Sequence, residues 1–133
     1  MPPDPAGTGR DLRLLVFRLG ALQFGVPAEQ VAGLRGYGEP GAEPAVWFHA
    51  LLGFPEAPRY RAPTAALVSR MGRAPAWVVL DAIDDLLEVE LDAVRPFPAL
   101  AEAHALRRGM WGILPGRGRM VLLVDLDQLL EAV

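Results

Sequence analysis

Turn-forming residues divide this chain into short apolar segments. It contains 13 prolines and 14 glycines, although 52% of its 133 residues are hydrophobic. Proline cannot donate a hydrogen bond to a strand ladder, and glycine is common in turns, so such a chain forms short elements joined by many turns. The pattern therefore favours a β-rich domain over a bundle of long helices.

Each end of the chain predicts a β-hairpin. Residues 12–19 and 22–27 are apolar stretches joined by a Gly-Ala turn, and the second alternates in polarity as a half-buried strand does. Residues 110–114 and 120–124 flank a Pro-Gly-Arg-Gly-Arg turn. A short final helix follows, and Asp127 is its predicted N-cap.

The middle of the chain predicts further short elements. Residues 28–35 are compatible with one helical turn that leads into a short strand, and residues 45–52 place apolar side chains on one helical face. Gly53 is a suitable C-cap for that helix, and three prolines within 54–64 predict a connector. Further strands are predicted at 65–70, 77–80 and 86–91.

The tryptophans are expected to anchor apolar packing. Trp77 and Trp111 lie in predicted strands and are expected in the core. Trp47 and Phe48 are neighbours on a predicted helix, where adjacent side chains point about 100° apart. One of these two rings is therefore expected to face outwards, as a hot spot for a protein partner.

These elements add up to a mainly β domain of about seven to nine strands with two or three short helices. Strands and helices do not alternate, which argues against a parallel α/β sheet. Two small antiparallel barrels or one barrel-like sandwich fit the spacing. We expect a disordered lead at 1–10 and one domain at 11–133, divided into subdomain 1 at about 20–64 plus closing elements and subdomain 2 at about 65–124.

Composition argues against several classes of function. The chain has no cysteine, which excludes disulfides, thiolate catalysis and Cys-ligated zinc. A net charge of −3 and a pI of about 5.3 argue against nucleic-acid binding. No apolar run reaches the ~18–20 residues of a membrane helix, and the first residues lack a secretory pattern, so we expect a cytoplasmic protein without membrane insertion.

Candidate chemical groups are few. His49 and His104 match no catalytic or metal-binding motif, so surface or half-buried positions are expected for both. An acidic group invites a metal or carboxylate-pair hypothesis, but it lacks the spacing of a calcium loop, and Glu88 and Glu90 alternate as a solvated strand face. The group consists of Asp81, Asp84, Asp85, Glu88 and Glu90.

The glycines of the last turn do not predict a phosphate site. Gly116 and Gly118 lie between two predicted strands, whereas a phosphate loop precedes a helix. Four basic residues near this turn form a patch with a weak expected role in partner choice. They are Arg107, Arg108, Arg117 and Arg119.

The order of these segments resembles the CheW-like domain family across nearly the whole chain. Val16-Phe17-Arg18-Leu19-Gly20 and Phe24-Gly25-Val26-Pro27 resemble its opening hairpin, and Ala50-Leu51-Leu52-Gly53 resembles the end of its helix. Later matches are Trp77 to Ile83, Leu86 to Val94 with Pro96 and Pro98, and Met110 to Leu130 with Gly112 and Asp125-Leu126-Asp127.

The resemblance implies a scaffold without a catalytic site or cofactor. Domains of this family have two small SH3-like barrels and couple chemoreceptor tips to the regulatory domain of a histidine kinase. The resemblance therefore implies as partners a chemoreceptor cytoplasmic tip, a histidine kinase regulatory domain, or another CheW-like protein.

One departure from the family concerns the first barrel. Val31 and Trp47 are only 16 positions apart, a shorter separation than in the family, so we expect a reduced first barrel with open edges. Because the family's contacts surround this barrel and its junction with the second, we expect partner contacts there. The expected residues are Leu34, Arg35, Trp47, Phe48, Leu52 and Phe54.

Two other hypotheses stay open at this point. The chain is alternatively an interaction module for polarity or motility signalling, or a homodimer that hides the shortened barrel, without kinase binding. A small hydrolase or metal enzyme built on His49, Asp81, Asp84 and Asp85 is the third hypothesis.

Overall fold

The computed structural model describes residues 11–99, 109–116 and 118–131. Its elements are β1 (Asp11–Leu19), β2 (Leu22–Pro27), β3 (Val31–Gly36), β4 (Ala45–Trp47), α1 (Phe48–Leu51), β5 (Thr64–Val68), β6 (Ala76–Leu80), β7 (Ile83–Glu90), β8 (Met110–Gly116), β9 (Arg119–Val124) and α2 (Leu126–Glu131). Short 3₁₀ turns follow β2 at Ala28–Gln30 and β7 at Leu91–Ala93.

The strands form two sheets. One has five strands in the order β7-β1-β2-β9-β8, and the other has four in the order β3-β5-β6-β4. Most pairs are antiparallel, but β2 pairs with β9 and β4 pairs with β6 in parallel. The mainly β prediction is confirmed. β5 begins at Thr64, and β5 and β6 pair with β3 and β4, so strands from both predicted subdomains lie in the smaller sheet.

Alternation along β1 separates two apolar cores. Leu15, Phe17 and Leu19 face a core that lies between the two sheets, and both sheets contribute to it. Leu14 and Val16 point to the opposite side, into a second core covered by the five-stranded sheet itself. The second core also contains Leu114, Val121 and Leu123.

The smaller sheet also buries apolar residues on both faces. Ala66 and Val78 belong to the core between the sheets. Their chain neighbours Ala65 and Val79 point to the opposite face and are nevertheless fully buried. Ala42, from the loop that joins β3 to β4, is buried as well. The prediction that residues 77–80 form a strand covered on both sides is therefore confirmed at its centre.

The predicted helix at 45–52 is wrong in its first half. Residues 45–47 pair in parallel with β6 as strand β4, and only Phe48–Leu51 are helical. The apolar pattern fits either element, and the ladder to β6 decides in favour of a strand. Gly53 ends the helix as predicted, with a φ of 81° and its N–H donating to the Ala50 carbonyl at 3.0 Å.

The N-cap of the last helix is Asp125 and not Asp127. The Asp125 carboxylate accepts a hydrogen bond from the Gln128 N–H at 3.1 Å, as an N-cap does. Asp127 instead accepts from Arg70 Nε at 3.3 Å, so it joins the helix to the smaller sheet. Leu126, Leu129 and Leu130 are buried as predicted.

The closing hairpin is tighter than the sequence predicts. β8 and β9 pair as far as Gly116 and Arg119, so the turn holds only the two residues between them. Trp77 and Trp111 lie in strands, but both are half-buried and not enclosed in the core. Trp111 packs against the second core from a half-buried position, and the Arg35 guanidinium lies over the Trp77 ring.

Gly25 offers a test of packing inside the five-stranded sheet. A Cβ atom there would lie 3.0 Å from Val121 Cγ1 and 3.1 Å from Leu123 Cδ2, whereas one at Gly33 would meet nothing within 4 Å. We expect Gly25→Ala to lower the free energy of unfolding by about 1–3 kcal/mol and Gly33→Ala to change it by less than about 0.5 kcal/mol. Urea denaturation measures both, and equal effects would contradict this packing.

Candidate protein-interaction surface

The six residues predicted to contact a partner lie in three different environments. Phe48 is fully buried, and Leu52 is 2% exposed. Leu34 is 45% exposed on β3. The other three, Arg35, Trp47 and Phe54, are at the surface but pack against other residues of the chain.

Phe48 is part of the core between the two sheets. Its ring centre lies 5.0 Å from Phe17 and 5.0 Å from Phe24, in edge-to-face contacts with both. Of the two adjacent aromatic rings, Trp47 is half-buried on the surface of the smaller sheet and Phe48 is fully buried. Phe48 was predicted as a contact residue, but the structure places its side chain between the sheets.

Arg35 covers the outer face of the smaller sheet. Its guanidinium carbon lies 5.8 Å from the centre of the Trp77 ring, and its Nη1 donates to the Pro40 carbonyl at 3.0 Å. The register pairs Arg35 with Ala65, so this contact lies on the face that also carries Val79. A stacked arginine and a tryptophan thus cover the small buried residues of this face.

Trp47 is the centre of an aromatic cluster on the same face. Its ring centre lies 4.8 Å from Tyr37, 4.9 Å from Tyr60 and 6.0 Å from the His49 ring. Tyr37 follows β3 and Trp47 ends β4, so the contact joins the two edge strands of the smaller sheet. Arg35 and Trp47 therefore help to close this sheet.

An apolar groove lies at the junction of the two sheets. Leu52 and Phe54, which follow α1, form one side of it, and side chains of β2, β8 and β9 form the other. The groove has a volume of about 80 Å³. The residues contributed by these strands are Leu22, Phe24, Met110 and Leu122, and sequence reasoning missed them. They come from distant segments, and only their alternation on strands marks the face they share.

His49 is tied to a tyrosine. Its Nδ1 lies 3.0 Å from the Tyr60 hydroxyl, and its backbone N–H donates to the same oxygen at 3.2 Å. Burial raises the pKa of the Tyr60 hydroxyl above its ordinary value. Both groups are half-buried, as expected for His49. His104 lies outside the described residues.

Asp81 is the buried carboxylate of the acidic group, at 1% exposure. It accepts backbone N–H bonds from Arg61, Ala62 at 2.7 Å and Ala82 at 2.8 Å, and its Oδ2 lies 3.6 Å from Arg61 Nε. Burial acts to raise the pKa of Asp81, but these N–H donors and the Arg61 charge outweigh it and lower the pKa below its ordinary value. Asp81 thus fixes the connector to the end of β6.

The remaining acidic residues have ordinary surface roles. Asp84 pairs with Arg61 at 2.9 Å, and Asp85 accepts from the N–H of Leu86. Glu88 and Glu90 are exposed on β7, as predicted. The alternating residues Leu87 and Val89 are half-buried. Within the described parts of the chain, no group of three or more His, Cys, Asp or Glu is arranged to hold a metal ion.

The predicted basic patch is largely outside the described residues. Arg119 is exposed at the start of β9, and Arg107, Arg108 and Arg117 are not described. The adjoining glycine turn joins two strands of one hairpin, as predicted. Of the helices in the described ranges, none has the length and apolar character needed to cross a membrane.

Two packed β-sheets with an apolar groove at their junction make up this domain. A family model described as a CheW-like domain matches residues 13–133, and the chain belongs to this family. No curated protein matches it. Its fold is similar to the crystal structure of the scaffolding protein TtCheW from Thermoanaerobacter tengcongensis, with a TM-score of 0.66 and 15% sequence identity, over 90% of this chain and 92% of that one.

Asp81 offers a test of how the connector is held. A carboxylate whose pKa is lowered in the folded state stabilises the fold above its unfolded pKa, and this stabilisation is lost as the pH falls through the folded pKa. We therefore expect stability to decrease below about pH 4, where an unfolded aspartate is protonated. Asp81→Asn should lower the free energy of unfolding at neutral pH by about 1–3 kcal/mol and reduce its dependence on acidic pH.

Asp85→Asn is the matched control, because the Asp85 carboxylate is exposed and, among the described residues, accepts only from the Leu86 N–H. Denaturant unfolding at neutral and acidic pH measures both variants. An Asp81→Asn chain with the stability and acid sensitivity of the parent would show that these hydrogen bonds do not hold the connector.

Proposed function

We propose that this chain is a non-catalytic scaffold of a bacterial chemosensory system in the cytoplasm. It would couple the cytoplasmic tip of a chemoreceptor to a histidine kinase regulatory domain or to another CheW-like protein. Membership of the CheW-like family and the structural similarity to a scaffolding protein support this proposal. The observation that carries it is the apolar groove at the junction of the sheets.

The groove has the composition of a protein-binding site. All six of its residues are apolar, and Leu22 at its rim is 41% exposed. Met120 lies two positions before the groove residue Leu122 on β9 and is 51% exposed. Exposed apolar side chains around a small depression are typical of sites that take one anchoring side chain of a partner.

A helical partner suits this groove. An amphipathic helix presents apolar side chains at every third or fourth position, and such side chains enter apolar grooves on partner proteins. One methionine and two phenylalanines line the site, and a flexible methionine adapts to side chains of different shape. We propose that the receptor tip presents such a helix.

Leu22→Glu tests the groove. A charge introduced among apolar side chains has to be desolvated when the partner binds, so we expect receptor-tip affinity to fall by about tenfold or more. Leu91→Glu is the matched control, because Leu91 is 40% exposed, lies outside the groove and gives the same change in net charge. Titration calorimetry with a receptor tip and, in parallel, with a kinase regulatory domain measures both variants.

The outcomes separate the hypotheses. Binding of the parent chain to the receptor tip, weakened only by Leu22→Glu, supports the groove as the receptor site. Weakened binding to the kinase domain alone would assign the groove to the kinase. A parent chain that binds neither protein would reject the array function, and equal effects of the two variants would reject the groove.

A further inference from the structure

A small polar pocket lies beside the turn of the opening hairpin. Its walls come from the end of β1, from the turn that joins β1 to β2, from the connector between α1 and β5, and from the residue that follows β6. The pocket has a volume of about 160 Å³, and it is lined by Arg18, Gly20, Arg59, Arg61 and Asp81. Three arginines thus surround one depression of a chain whose net charge is −3.

Two of the three arginines are held in place by aspartates. Arg61 Nη2 donates to the Asp84 carboxylate at 2.9 Å, and Arg61 Nε lies 3.6 Å from Asp81 Oδ2. Arg18 Nε lies 3.8 Å from the same Asp84 carboxylate, which is an ion pair but too long for a hydrogen bond. Arg18 is therefore attracted to Asp84 by charge, while its N–H groups stay free to donate to another acceptor.

Arg59 is the third arginine, and it is exposed. Among the residues that the structure describes, it has no hydrogen bond and no ion pair. Asp81 in the pocket wall does not compensate its charge, because this carboxylate is 1% exposed and already accepts from the N–H groups of the connector. The three arginines with Asp81 and Asp84 therefore leave one positive charge uncompensated.

The pocket and the apolar groove share their two flanking segments. On the hairpin side, Gly20 lines the pocket and Leu22 lines the groove, and two residues span at most ~7 Å. On the connector side, Phe54 lines the groove and Arg59 lines the pocket. Gly20 has no side chain, and a Cβ atom there would meet nothing within 4 Å, so the turn leaves the pocket accessible from the groove side.

We propose that this pocket binds an aspartate or glutamate side chain of the protein that occupies the groove, with Arg59 as its main contact. The inference rests on the proposed function and adds a charged contact to it. The fork of an arginine side chain matches the two oxygens of a carboxylate. A helix rises about 5.4 Å per turn, so an acidic residue one or two turns from the apolar anchor of a helical partner reaches the pocket.

Charge complementarity favours this occupant. The uncompensated charge of Arg59 attracts a carboxylate, and a second copy of this acidic chain does not present a matching surface by its net charge. Glu56, in the same connector, is exposed and is not among the residues that line the pocket. Charges at the rim of an interface act mainly on association and on the choice of partner, and salt screens them.

Arg59→Glu tests the pocket, because Arg59 is exposed and has no polar partner within the described residues. The protein to be used is the one whose binding Leu22→Glu weakens, either the receptor tip or the kinase regulatory domain. We expect Arg59→Glu to lower its affinity about three- to tenfold at ~0.1 M salt and to have no effect at ~1 M salt, where the Debye length is ~3 Å. The loss caused by Leu22→Glu should persist at ~1 M salt, because it results from desolvation. Titration calorimetry at both salt concentrations measures these affinities.

Arg73→Glu is the matched control. Arg73 is exposed in the turn between β5 and β6 and gives the same change in net charge. This turn lies at the opposite end of the two strands from the pocket, because Arg61 precedes β5 and Asp81 follows β6. We expect Arg73→Glu to leave the affinity within about twofold of the parent value. Replacing the contacting acidic residue of the partner with lysine should restore the affinity of Arg59→Glu and not that of Leu22→Glu.

Equal losses of affinity in Arg59→Glu and Arg73→Glu would overturn the inference, since they would reflect net charge alone. Weakening by Leu22→Glu without weakening by Arg59→Glu would overturn it and leave the proposed function standing, whereas a parent chain that binds neither protein would reject both. Inorganic phosphate, titrated at constant ionic strength while the Gly20 amide is followed by NMR, tests a free ion as the occupant. A saturable shift, together with unchanged partner affinity in Arg59→Glu, would assign the pocket to a small anion and overturn the inference.

Discussion

Three phenylalanines hold the two sheets of this domain together. Phe17 and Phe24 lie opposite each other on β1 and β2, and Phe48 reaches them from the short helix that follows β4. Their ring centres lie 5.0–5.7 Å apart, and all three are at most 1% exposed. Offset and edge-to-face contacts of this kind add to the apolar burial. Because Phe48 fixes α1, it also sets the position of Leu52 and hence one side of the groove.

The smaller sheet has only four strands, and large side chains cover its outer face. Arg35 lies over Trp77, and Trp47 contacts Tyr37 from the other edge strand. Large rings cover Ala65 and its neighbours at low entropic cost, because an aromatic side chain has few rotatable bonds. Side chains can shield apolar atoms, but they cannot pair the backbone of β3. At the end of β3, Glu39 binds both the N–H and the C=O of Gly36, so this part of the edge is already paired.

The local sequence pattern predicted which segments form strands and helices better than it predicted which strands pair with each other. The opening hairpin, the half-exposed strand β7 and the buried face of the last helix follow from alternation and turn residues within short windows. The parallel pairings of β2 with β9 and β4 with β6 join segments far apart in the chain, and no local signal marks them. The burial of Phe48 was not predicted for the same reason, since the side on which a ring packs depends on the sheet that covers it.

The candidate surface was predictable only in part for a related reason. Leu52 and Phe54 were predicted as contact residues because they follow a helix next to the predicted junction. Leu22 and Met110 also line the groove, but in the sequence they look like ordinary strand residues. A groove is a property of the packing of two sheets, so its residues share no spacing in sequence. The edge of β3 differs, because its lack of proline and acidic residues is visible in the sequence. Its outward direction, however, becomes evident only from the bonds of Tyr37 and Gly36.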